Sequence, residues 1–217
     1  MLNKISTTKN KIKTKELVQK VKKLYMSKNF DDALELALEL IAKNPKIPII
    51  QNIAGVIYFN QNNLNLSLFH FRESLKFDSS NPDIYNNIGL CLIEMKNYKD
   101  AIKILEYALF YKPNAPEIFN NIGIALEELK DYEKSLIYFR KAISLDKFYA
   151  EAYNNLGSLL HKMKKHSEAK ETLTCAIKYN PKLEVAYQNI GKLKLSLENF
   201  LLSNRESIDF CFLEEMT

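Results

Sequence analysis

Tryptophan is absent from the 217 residues, arginine occurs at Arg72, Arg140 and Arg205 alone, and cysteine at Cys91, Cys175 and Cys211 alone. Three cysteines, odd in number, far apart and without a nearby histidine pair, argue against a disulfide framework or a zinc motif. They read as small packing residues in a reducing compartment. No stretch approaches the roughly 18 apolar residues of a membrane span; the richest, 47–59, is interrupted by Pro48, Gln51 and Asn52. The lysine-rich start lacks the apolar core of a secretory signal, so a cytoplasmic protein is expected. With so little arginine and no aromatics interleaved among the lysines, specific reading of nucleic acid is not expected.

Glycine is equally scarce, and its placement organises the chain. Gly55, Gly89, Gly123, Gly157 and Gly191 stand 34 residues apart. A fixed period of that length marks stacked supersecondary units, each burying its apolar face against its neighbours. Twelve residues past the glycines stand Ser67, Ala101, Ser135 and Ala169, sixteen past stand Phe71, Leu105, Phe139 and Leu173, and nineteen past stand Ser74, Ala108, Ala142 and Ala176. Small residues let two helix backbones approach, and large apolar ones fill the space beside them. Residues four before, one before and three after each glycine form one helical face, apolar except at Gln51 and Lys194. Two amphipathic helices per unit follow.

The prolines punctuate this pattern. Pro48, Pro82 and Pro116 fall seven residues before a glycine, and Pro45, Pro113 and Pro181 fall 24 after a glycine slot, where one helix should end and the next begin. Asn63, Asn97, Asp131 and Asn199 are expected to cap the second helices, and Asn81 the helix that Pro82 opens; Lys165 breaks the series. The spacing predicts units over 14–47, 48–81, 82–115, 116–149 and 150–183, preceded by a flexible basic arm over 1–13. A sixth window, 184–217, decays at Ser207 and Phe210 and reads as a degenerate repeat or C-terminal cap.

This order of aromatic, apolar-glycine, aromatic, small, aromatic, small and proline slots resembles the tetratricopeptide repeat family over roughly residues 14–200. The resemblance implies an all-α solenoid, a right-handed superhelix of antiparallel helix pairs. Departures are tyrosine or phenylalanine in the tryptophan slot, serine in several alanine slots, which should lower local stability, and no glycine in the first unit.

If the first helix of each unit lines the inner curve, as the resemblance implies, the groove receives Asn52, Asn86, Asn87, Asn120, Asn121, Asn154, Asn155, Gln188 and Asn189. A carboxamide both donates and accepts, so such a ladder can pair with the main chain of an extended peptide whatever its side chains. The chain is similar here to the arrays that precede the catalytic domain of peptide O-linked N-acetylglucosaminyltransferases. The matching residues are Asn87, Asn121, Asn155 and Asn189, with Ile53 interrupting the row. A scaffold that binds a partner protein's peptide or helix is expected; the alternative is the substrate-recruiting part of a glycosyltransferase or sulfotransferase. Asp83, Glu94, Glu117, Glu127, Glu128 and Glu151 would repel a carboxylate ligand, which argues against clamping of chaperone tails.

No enzyme chemistry, cofactor or metal is expected. His70, His161 and His166 occupy unrelated slots, and every glycine is committed to a helix hairpin, leaving none for a phosphate loop. Residues 1–23 hold eight lysines against Glu16, a net +7 in a chain of +5, so the remainder totals −2. That basic start predicts a weak, salt-sensitive contact with an anionic surface.

Overall fold

A computed structural model describes the backbone of residues 2–196 and the side chains of residues 13–196. Ten helices have both ends described: α1 Leu2–Met26, α2 Phe30–Lys43, α3 Pro48–Asn60, α4 Leu64–Leu75, α5 Pro82–Glu94, α6 Tyr98–Tyr111, α7 Pro116–Glu128, α8 Tyr132–Leu145, α9 Ala150–Lys162 and α10 His166–Tyr179. An eleventh, α11, is described over 184–196. No strand occurs among the described residues.

The chain divides into two compact units, Met1–Pro113 and Asn114–Thr217. The first stacks three antiparallel helix pairs, α1/α2, α3/α4 and α5/α6; the second stacks α7/α8, α9/α10 and α11. This is the all-α repeat architecture that the period predicts. Within each unit the first helices touch one another, α1 with α3, α3 with α5 and α7 with α9, whereas the backbones of second helices in successive pairs do not meet. Rods packed closer along one edge than the other must curve toward that edge, so the first helices line the inner face of each unit.

Glycine sets the spacing inside each pair. A Cβ on Gly55, Gly89, Gly123 or Gly157 would lie 2.5–2.6 Å from Phe71, Leu105, Phe139 or Leu173 respectively, the residue sixteen positions on. All four of those side chains are fully buried, so the second helix presses a large side chain into the notch left by the missing Cβ. The small slots at +12 and +19 are also fully buried. Their serines are not the weak points expected from their polarity. Ser67 and Ser135 donate to the Gly55 and Gly123 carbonyls and Ser74 to the Pro48 carbonyl, each at 2.8 Å, which removes the penalty of an unpaired buried hydroxyl. Cys91 packs as a small buried residue 3.1 Å from the Ser67 hydroxyl.

Pro48, Pro82 and Pro116 each occupy the first turn of their helices, where the missing N–H is no loss. The turn inside each pair carries a second 34-residue series, invisible in the glycines. Lys28, Asn62, Lys96, Lys130 and Lys164 all have φ between 58° and 62°. Each closes a Schellman motif: in the fourth pair Lys130 N–H reaches the Glu127 carbonyl at 2.9 Å and Asp131 N–H the Leu126 carbonyl at 3.0 Å. The residue after the left-handed one is already the cap of the second helix. Asn63 and Asp131 accept from the N–H three residues on, at 3.4 Å, and Asn81 accepts from Asp83 N–H at 3.1 Å. Asn97 does not cap as expected; its amide Nδ2 donates to Asp100 at 2.9 Å, as that of Asn29 does to Asp32 at 2.7 Å.

Left-handed backbone disfavours a side chain by about 1–2 kcal/mol, and glycine's extra unfolded-state entropy takes back about 0.5–1 kcal/mol. Lys130→Gly should therefore leave stability unchanged or raise it by up to about 1 kcal/mol, read as the midpoint of urea unfolding. A clear loss would show that the lysine side chain, not the turn, is what matters there.

One expectation needs correcting. The segment 1–13, expected as a flexible arm, is helical backbone from Leu2 onward, continuous with α1. No proline or glycine precedes Pro45, so nothing in the local sequence stops the helix from extending toward the N-terminus. Asn199, Ser207, Phe210 and Cys211 lie outside the described residues.

Candidate functional site

The carboxamide rows sit midway along the first helices, three and two residues before each glycine, where the helix presents its inner face. The structure brings them together more tightly than a free ladder would require. In the first unit Asn87 Nδ2 donates to Asn52 Oδ1 at 3.1 Å. In the second unit Asn155 Nδ2 donates to Asn120 Oδ1 at 3.0 Å, Asn189 Nδ2 to Asn154 Oδ1 at 2.9 Å, and Asn154 Nδ2 to Asn155 Oδ1 at 3.4 Å. The last three form one relay from Asn189 to Asn120. Asn87, Asn155 and Asn189, each two before a glycine, thus tie their helices to the asparagine three before the preceding glycine, 35 residues back.

Burial divides the rows accordingly. Asn120, Asn121 and Asn154 are 4%, 7% and 6% exposed, and the amides of Asn120 and Asn154 belong to the inter-repeat packing. Asn52, Asn86, Asn87, Asn155 and Asn189 are half-buried and Gln188 is exposed. Asn86 and Asn121 are engaged as well. The half-buried amides border the inner surface, and because a carboxamide has two N–H donors and an oxygen with two lone pairs, one bridge leaves capacity for a guest.

Beyond the amides, an ion pair crosses the inner face of the second unit. Lys162 Nζ meets Glu127 Oε1 at 2.8 Å, the Glu127 side chain being 10% exposed. Burial pushes the Glu127 carboxyl up, opposed by Lys162, while the hydrogen bond to Glu127 holds the Lys162 ammonium up. The pair links α9 to α7, and losing Lys162 would strand the largely buried Glu127 carboxylate, whereas Lys162 itself is half exposed.

Sequence spacing also missed a histidine pair. His161 closes α9 and His166 opens α10, and the turn between them places their Nδ1 atoms 3.4 Å apart. Burial and the neighbouring His166 lower the pKa of His161. Two histidines five apart flanking a helix–helix turn are the signal that could have found this contact. Among the described residues no cluster of three or more His, Cys, Asp or Glu could hold a metal ion, and no helix is long and apolar enough to cross a membrane.

Family models described as tetratricopeptide repeat match residues 23–82, 82–114 and 114–182, together most of the chain. The chain belongs to the tetratricopeptide repeat family. Among solved structures this tetratricopeptide repeat chain is similar to YrrB, described as a TPR protein with an unusual peptide-binding site. The two share 20% identity over 79% of this chain and 89% of that one, with a TM-score of 0.62. It is also similar to TTC0263, a thermophilic TPR protein of Thermus thermophilus, with 16% identity over 84% and 99% of the chains and a TM-score of 0.71. MamA of Desulfovibrio magneticus RS-1 has 20% identity over 79% and 97%, with a TM-score of 0.69. At these identities the likeness is one of fold. No curated protein matches the sequence.

Proposed function

We propose that this protein is an interaction module whose first-helix face binds an extended segment or helix of a partner protein. The observation that carries the reading is the packing of first helices against one another within each unit, which gathers half-buried carboxamides on an inner surface. Support comes also from a structural neighbour described by its peptide-binding site. The amides have two tasks, holding successive repeats in register and offering their remaining donors and acceptors to a guest backbone. A substrate-recruiting role beside a glycosyltransferase or sulfotransferase would use the same residues, and no contact favours it over a general scaffold.

Changing Asn87, Asn121 and Asn155 together to alanine should strip partners from an affinity capture while circular dichroism still reports a helical chain. Because Asn87 and Asn155 bridge repeats and Asn121 is buried, the variant should also lose about 1 kcal/mol per broken hydrogen bond, so capture is compared well below its melting temperature. An unchanged set of captured proteins would mean that the rows serve packing alone.

A further inference from the structure

Charge in the four middle helix pairs, α3/α4 to α9/α10, is sorted by helix class. The first helices α3, α5, α7 and α9 together hold six carboxylates, Asp83, Glu94, Glu117, Glu127, Glu128 and Glu151, and one ammonium, Lys162, which Glu127 engages. Their net charge is −5 in a protein of +5. The second helices of the same pairs, α4, α6, α8 and α10, total +2; in the first pair the order is reversed, α2 holding Asp31, Asp32, Glu35 and Glu39 against Lys43 beside the basic α1.

The acids are also in register. In α5 the residues Asp83, Asn87, Leu90 and Glu94 are spaced four, three and four apart, which places them on one helical stripe. In α7 the same stripe is Glu117, Asn121, Ile124 and Glu128, and in α9 it is Glu151, Asn155, Ser158 and Lys162. Each stripe centres a carboxamide of the binding face, and Asp83, Glu94, Glu128 and Glu151 at the stripe ends are exposed. The acids are absent from α3, whose stripe is Ile49, Ile53, Val56 and Asn60, and at the ends of the repeats the stripe carries Lys15 and Lys22 in α1 and Lys192 in α11.

Resting on the reading of this face as a peptide site, we propose that its guest is a lysine- or arginine-rich extended segment. The amides meet the guest backbone and the stripe-end carboxylates meet its cationic side chains, while an acidic tail is repelled. Neighbouring helix axes lie about 8–10 Å apart, and a polyproline II chain advances about 9 Å per three-residue turn with every third side chain on one face. A cation at every third position would therefore meet neighbouring first helices within a unit, as α7 and α9 are in the second.

The test uses the full chain and fluorescein-labelled peptides of about four Lys-Ser-Pro repeats, with Gln-Ser-Pro and Glu-Ser-Pro versions, read by fluorescence anisotropy at low salt and at about 0.3 M salt. The lysine peptide should bind roughly tenfold tighter than the glutamine peptide, with the margin shrinking at high salt. The triple variant Asp83→Lys, Glu94→Lys, Glu151→Lys should lose the lysine peptide and gain the glutamate one. Because Asp83 and Glu151 sit in first turns, where a cation opposes the helix dipole, Asp83→Asn, Glu94→Gln, Glu151→Gln serves as a milder second variant and should weaken lysine-peptide binding without reversing preference. Equal affinity for the lysine and glutamine peptides would overturn the charge inference and leave the groove standing. Binding unaffected by either variant would overturn it too.

Discussion

Gly123→Leu is expected to destabilise the protein by about 3 kcal/mol, at the upper end for overpacking of a buried site, and Gly123→Ala by roughly 1–2 kcal/mol. The alanine case sets two effects of opposite sign against each other. In a helix interior, replacing glycine with alanine gains about 1 kcal/mol of propensity. Against it, the new Cβ would lie 2.6 Å from the Phe139 ring, which is fully buried. The ring cannot swing into solvent, so α7 and α8 must separate, loosening contacts along the pair. Leucine adds further carbons with nowhere to go. Gly191→Ala supplies the control, because no described atom lies within 4 Å of its Cβ position; there propensity acts unopposed and stability should rise by up to about 1 kcal/mol. Urea unfolding of the three variants beside the parent checks both signs. If Gly123→Ala proved stabilising, the glycines would be turn or propensity relics and not notches for the second helix.

That contrast shows why the period exposed so much of the fold. Gly123 and Phe139 are sixteen residues apart, and the interval recurs in four pairs, so a steric requirement that is normally hidden in tertiary structure surfaces as a repeat in the sequence. Helix starts at Pro48, Pro82 and Pro116 were legible for a local reason, the lost N–H of proline. The left-handed residues at Lys96, Lys130 and Lys164 were not legible. Nothing in a lysine announces φ near 60°, and the motif is imposed by the tight return into the second helix. The asparagine rows were legible as rows, but their commitment to one another was not. A bridge from Asn155 to Asn120 depends on how closely α7 and α9 pack, which composition does not encode. His161 and His166 looked unrelated by slot for the same reason. The turn, not the period, brings them together.

The second repeat contains a pH-dependent pair built on residues found at those slots in no other repeat. Where Tyr85, Phe119 and Tyr153 stand four residues before their glycines, this repeat has Gln51, and both Gln51 and its partner His70 are buried. His70 Nδ1 lies 2.7 Å from Gln51 Oε1, and Gln51 Nε2 donates to the Pro45 carbonyl at 3.2 Å. Since the amide oxygen can only accept, Nδ1 carries the proton and the ring is neutral with Nε2 unprotonated. The ring stacks on Tyr58 with centroids 5.4 Å apart. Burial lowers the His70 pKa, partly opposed by Glu73. A histidine whose folded pKa lies below its unfolded one binds fewer protons when folded, so its contribution to stability is complete above the ordinary value of about 6.5. It is lost as pH falls from there toward the folded pKa. Unfolding midpoints should accordingly drop as pH falls below about 6.5. Gln51→Leu should cost about 1–3 kcal/mol at neutral pH by leaving the buried Nδ1–H without its acceptor. The double change Gln51→Phe, His70→Tyr installs the residues that pack at the same slots in the fourth repeat, Phe119 and Tyr138, with ring centroids 6.0 Å apart. It should recover most of that loss and flatten the acid decline. His161, also lowered by burial, is present in parent and variant alike, so the difference between their pH profiles reports His70 alone. A double variant that kept the parent's full acid decline would move the sensitivity elsewhere, with His161 and His166 next to be changed.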